Sequence, residues 1–140
     1  MSMWVHIAAI IRIDSFGPIP DEALIELFGK ELHFHDSGEI WDEAADHPER
    51  FLPIGSEGSL HMSIWHNPKD YAVPGTTVSI FGDLRDCSGT KEYIEWFDKK
   101  CNKVWVRQAV ITITDESGEV VTHNYSEPEE ESGDEEGTAE

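Results

Sequence analysis

The sequence predicts an α+β domain of the ferredoxin-like type, a split βαβ sandwich with helices on one face of an antiparallel sheet. Three observations predict it. Strand-like and helix-like periodicities follow the order β-α-β-β-α-β, with one further strand-like run appended. The strand-like runs are apolar on one face and mixed on the other, as in a sheet covered on a single side. The last two runs are joined by Asp115-Glu116-Ser117-Gly118, a hairpin signature with glycine in its loop.

The first strand is expected over Trp4–Asp14. Val5, Ile7, Ala9, Ile11 and Ile13 share one face, and His6, Ala8, Ile10, Arg12 and Asp14 the other. The second face is apolar in its middle, so the strand belongs at the centre of the sheet. After Ser15–Pro20, Asp21 is the capping candidate for a helix over 21–29. Ala23, Leu24, Leu27 and Phe28 share its apolar face, Glu22 suits its first turn, and Gly29 ends it. Residues 30–57 form an acidic insertion with a weaker pattern. Leu32 and Phe34 alternate with His33 and His35 as in a short strand, while Trp41, Ala44 and Ala45 suit one helical turn. Pro48 and Pro53 break regular structure beyond that turn. If this insertion supplies further strands, the alternative is another α+β sandwich.

A second strand is expected over Ser59–Trp65, with Leu60, Met62 and Ile64 inward. Asn67-Pro68 and Pro74-Gly75 bracket a long turn. A third strand runs Thr76–Phe81, with Val78 and Ile80 inward, and Gly82 is expected to break it. The second main helix is Thr90–Cys101, on a stripe of Ile94, Phe97 and Cys101 with Tyr93 beside it; Trp96 falls off the stripe, toward the rim. Val104–Thr114 and Glu119–His123 complete the sheet. Residues 1–125 thus make one domain. Residues 126–140 carry eight acids, no base and no aromatic residue, which predicts a disordered acidic tail.

The chain has 29 Asp and Glu against 10 Lys and Arg, a net charge of −19. The eight acids of the tail leave −11 on residues 1–125. Residues 31–57 hold eight acids against Arg50 alone, a local −7. This balance weighs against direct nucleic-acid binding, which needs a basic footprint, and against docking to anionic lipid. Every apolar run falls well short of the ~20 residues that span a bilayer. The partner that suits such a charge is a protein with a basic surface. No secretory signal is legible. Cys87 and Cys101 flank the second helix, which would hold them about 15 Å apart, whereas a disulfide needs Cα atoms within about 7 Å. Two reduced thiols in the cytoplasm are therefore expected.

The chain carries no Walker A loop, no G-x-G-x-x-G, no nucleophile elbow and no H-E-x-x-H. No catalytic residue, cofactor or metal is assigned. His33, His35 and Asp36, or His61 with His66, have ligand types that borderline metals accept, but solvated side chains explain them as well. Gly82-Asp83-Leu84-Arg85-Asp86 would leave a strand and approach a helix. There Asp83 and Asp86 suit a base or a cation ligand, and Arg85 an anion clamp; the plainer alternative is local pairing and capping. Trp65 and Phe81 lie opposite Ile64 and Ile80, on the face expected to lack helices, with Arg107, Ile111 and Ile113 as candidates to share it. Exposed, that face is a platform for binding; covered by residues 31–57 or by the last strand, it is core. The candidate binding set is therefore Trp65, His66, Phe81, Asp83, Arg85, Asp86 and Arg107.

Three segments, FLPIGSEGSLHMSIW (51–65), VSIFGDLR (78–85) and YIEWFDKKCNKVWVRQAV (93–110), resemble small proteins of unassigned activity carried by phages and other mobile elements in bacteria. The resemblance spans residues 4–114 and implies an accessory or host-interaction role. From the residues themselves, the first function class is a non-enzymatic acidic module that binds a protein, as an inhibitor or immunity protein does. The alternative is a small enzyme, or a metabolite- or metal-binding protein, with its site around Gly82–Asp86. A third is a homodimer that pairs through the appended strand.

Overall fold

A computed structural model describes residues 3–15, 19–33, 35–68, 75–85 and 89–125. The chain forms β1 (Trp4–Asp14), α1 (Asp21–Phe28), α2 (Gly38–Asp46), a 3-10 turn (Pro48–Arg50), β2 (Glu57–His66), β3 (Gly75–Arg85), α3 (Thr90–Cys101), β4 (Val106–Asp115) and β5 (Val120–Asn124). It is an α+β fold on one five-stranded sheet, in the order β2-β3-β1-β4-β5. Every neighbouring pair is antiparallel. β1 is the central strand, as its two apolar faces predict. None of the described helices is long and apolar enough to cross a membrane.

Alternation decides which face is covered. Ile7, Ala9, Ile11 and Ile13 of β1 are buried with Val78, Ile80 and Leu84 of β3 and Ala109, Ile111 and Ile113 of β4. Leu24 and Phe28 of α1 and Tyr93, Phe97 and Cys101 of α3 complete this core. Both helices therefore lie on one side of the sheet. Burying each of the Val, Leu, Ile and Phe side chains among these stabilises the fold by roughly 1.5–3 kcal/mol.

Several local expectations are corrected. Pro20, not Asp21, occupies the N-cap position of α1; Asp21 is the first helical residue, and its carboxylate lies 2.7 Å from His66 Nε2. No strand forms over 32–35 among the described residues, and Phe34 lies outside them. Leu32 instead joins Ala44 and Phe51 in a small second core, with Trp41 packed against it. That core demands more than one helical turn, and α2 supplies nine residues, opened by Ser37 Oγ accepting from the Ile40 N–H. Strand β3 passes through Gly82 and continues to Arg85. A Cβ at Gly82 would stand 2.4 Å from the Ser59 carbonyl oxygen, so glycine here permits close approach of β2 rather than a break. Strand β4 begins at Val106 and β5 ends at Asn124.

The acidic insertion sits on the helix side. Lys30 and Phe51 form a parallel bridge next to the end of α1. The Lys100 ammonium of α3 donates to the Glu49 carbonyl at 3.0 Å. Lys100 is 5% exposed, and its burial holds its pKa below the ordinary lysine value. The appended strand β5 widens the sheet beside β4 and does not cover it. The expected acidic tail at 126–140 and Cys87 lie outside the described residues.

Candidate interaction surface

The sheet face opposite the helices is open. Its residues stand in rows set by the strand register. One row crosses His61, Phe81, Ala8 and Thr112; the next crosses Ser63, Ser79, Ile10 and Val110; a third crosses Trp65, Thr77, Arg12 and Gln108. Ile10, Trp65 and Phe81 are 46%, 50% and 47% exposed. The His61 and Phe81 rings meet edge to face, with centroids 5.4 Å apart. These three large apolar side chains are exposed on one face, in three successive rows of the sheet.

One margin of the face is acidic. One of the two edges of the sheet is β2, and Glu31 lies along it. Its carboxylate accepts the Met62 N–H at 2.9 Å and lies 2.8 Å from His61 Nδ1 and 3.0 Å from His33 Nε2. Asp21 pairs with His66 farther along the same strand. Glu31 thus draws together the two histidine clusters that are far apart in sequence. No three His, Cys, Asp or Glu side chains among the described residues are placed to hold a metal ion. Glu31 also blunts the β2 edge by occupying an outward N–H.

The residues singled out in the sequence do not all converge. Trp65 and Phe81 share the open face, as expected. His66 is on the helix side of β2, between Asp21 and Thr76 Oγ1 at 3.0 Å. An Asp–His–Thr relay of this kind serves no nucleophilic role here, because Thr76 is 3% exposed. Asp83 lies on the open face and pairs with His6 at 2.6 Å. Arg85 ends β3, and its carbonyl accepts the Ser56 N–H. Both belong to β3, whose end at Arg85 precedes α3, so the strand runs three residues past Gly82; Asp86 is outside the described residues.

Arg107 is at the opposite end of the face, about 20 Å from Asp83 along β1 at ~3.4 Å per residue. A register shift between β1 and β4 lies beside it, between Arg12 and Ile13. The shift gives β4 one extra residue and turns Arg107 toward Asp14, whose two oxygens accept from its Nε at 3.1 and 3.2 Å. Ile111 and Ile113, candidates for this face, belong to the core instead. The bulge inverts the alternation that the sequence suggests around Arg107. Ile10 and Glu31 join the surface without having been singled out, and His61, weighed in the sequence only as a metal-ligand type, joins it too. For Ile10 the signal was present, because an apolar residue on the polar face of a strand fits an exposed surface as well as a central position. Glu31 carried none, since its role depends on β2, 31 residues away.

Cys101 is buried against the core. Burial and the nearby Asp98 push its thiol up to about 12. It is structural rather than nucleophilic. The chain has no match among protein-family models, curated proteins or solved structures.

Proposed function

We propose that this protein is a non-enzymatic acidic binding module. It docks the helix-free sheet face onto a protein partner that has an apolar centre and a basic rim. One observation carries the proposal: Ile10, Trp65 and Phe81 stand about half exposed on one face, at whose β2 edge lies the Glu31 carboxylate. Aromatic anchors supply most of the affinity in such interfaces, and rim charges steer association. The net charge of −19 favours a basic partner and gives an association that salt weakens.

An inhibitor, immunity or host-interaction role fits the chain's size, its charge and the resemblance of residues 51–65, 78–85 and 93–110 to mobile-element proteins. The buried, unpaired Cys101 thiol supports a reducing, cytoplasmic setting. The ferredoxin-like frame is supported by the strand order. β1 and β2 run parallel with β3 between them, and β3 and β4 run parallel with β1 between them.

The test is capture from the source-cell lysate with the native chain and with Trp65→Ala/Phe81→Ala, then identification and purification of the captured protein. The expected result is one basic protein that binds the native chain directly and binds the double variant at least tenfold more weakly, with thermal stability little changed. Equal binding by both chains contradicts the proposal. So does a concentration-dependent homodimer that buries these two side chains.

A further inference from the structure

We infer that the corner of the open face around Arg12, Asp14 and Arg107 binds a small planar organic anion, a flat ring bearing a carboxylate or a phosphate. The inference does not rest on the docking proposal, although Arg12, Thr77 and Gln108 stand in the same row as Trp65. Two adjoining cavities meet here. One, of about 510 Å³, is lined by Asp14, Trp105, Val106, Arg107, Gln108 and Tyr125. The other, of about 150 Å³, brings in Arg12, Asn67 and Thr77 and shares Asp14 and Arg107 with the first. Two of the chain's four arginines therefore serve one corner of a molecule with a net charge of −19. Asp14 is the only acid among the described residues lining either cavity, and Arg107 already holds both of its oxygens.

The geometry is built rather than incidental. The β4 bulge re-aims Arg107, and bulges recur where a side chain must be turned toward a site. Asp14 accepts from Arg107 through Nε, and neither terminal nitrogen of Arg107 is hydrogen-bonded to a described residue, so both can face an oxyanion. The Arg12 side chain is exposed and has no hydrogen bond or ion pair with a described residue. The Gln108 amide and the Thr77 hydroxyl add donors. Trp105, 61% exposed, lines the larger cavity, and its carbonyl accepts the Asp14 N–H at 2.9 Å, tying it to the end of β1. An exposed indole that lines the same cavity as the Arg107 guanidinium suits a ligand that stacks by its ring and is held by its charge.

The experiment is calorimetric titration of the full chain at low salt with AMP, phenyl phosphate, benzoate and indole-3-acetate. Adenosine and inorganic phosphate report the ring and the anion separately. At least one planar anion is expected to bind saturably at one site, and more tightly than adenosine or phosphate. Arg12→Gln and Arg107→Gln should each weaken it about tenfold or more, the loss expected for a charge-assisted hydrogen bond. Trp105→Ala should weaken the ring-bearing ligands and leave phosphate unaffected. Arg12→Gln removes no hydrogen bond or ion pair within the described fold, so it keeps the test sound if Arg107→Gln unfolds. The inference is overturned if no planar anion binds, if Arg12→Gln binds like the native chain, or if phosphate alone binds as tightly as AMP.

Discussion

Cys101 shows how a single side chain's surroundings set its chemistry. Its place on the apolar stripe of α3 removes the thiol from water, and the thiolate is the form that burial disfavours. With its pKa near 12, it carries about a thousandfold less thiolate at neutral pH than an ordinary cysteine. In a Cys87→Ser background, iodoacetamide should leave the native chain unlabelled and label it rapidly in denaturant. Labelling of the native chain at the rate of a free thiol would place Cys101 at the surface. Asp115 is the opposite case. Its carboxylate accepts from Ser117 Oγ at 2.5 Å and from the Ser117 and Glu119 N–H groups at 3.0 and 3.1 Å, which together hold its pKa below the usual carboxylate value. The folded state thus favours the ionised form. The stabilisation is complete above the ordinary carboxylate pKa and is lost as pH falls through the lowered value. Asp115→Ala should therefore lower Tm at pH 7, and the gap to the native chain should narrow at about pH 2. A gap independent of pH would show that the carboxylate's charge contributes nothing to the β4–β5 turn.

Among the elements, glycine separates what was legible from what was not. Strand β1 and helix α3 keep the boundaries their periodicity predicts, because both are long and their apolar positions never fall out of phase. Gly82 reads as a break, yet β3 continues, because the reason for glycine lies in its neighbour β2 and not in its own segment. Helix α2 is legible only as a single turn, since its apolar side chains are few and serve the small core around Leu32 rather than the main one. Gly29 joins that small core to the main one. It has φ 129°, and a Cβ there would lie 2.5 Å from the Phe51 carbonyl carbon. Gly29→Ala should cost at least ~1–3 kcal/mol in denaturant unfolding. Gly38 opens α2 with nothing within 4 Å of where its Cβ would be. Gly38→Ala should be neutral or stabilise by up to ~1 kcal/mol. Equal losses at the two positions would contradict the packing of residues 51–52 against the end of α1.

At the scale of the molecule, the sheet divides two surfaces. One side is sealed by α1, α3 and the acidic insertion; the other presents Ile10, Phe81 and Trp65 to solvent. The sequence placed Trp65 and Phe81 on that open side by parity alone. Parity did not show whether the insertion folds over them, because that depends on the bridge between Lys30 and Phe51 and on Lys100 holding Glu49. It also placed Arg107 there together with Ile111 and Ile113, and a one-residue bulge leaves Arg107 exposed at a corner of the face while those two isoleucines enter the core. The central claim is that the open face binds and the acidic margin steers. The measurement that tests it most directly is the Kd of the purified partner for the native chain, Trp65→Ala and Glu31→Gln, at low and high salt. The account predicts a loss of about tenfold or more for Trp65→Ala at both salt concentrations, and a smaller loss for Glu31→Gln that fades as salt rises. Binding that survives Trp65→Ala undiminished and vanishes with salt alone would mean that charge, not the sheet face, makes the contact.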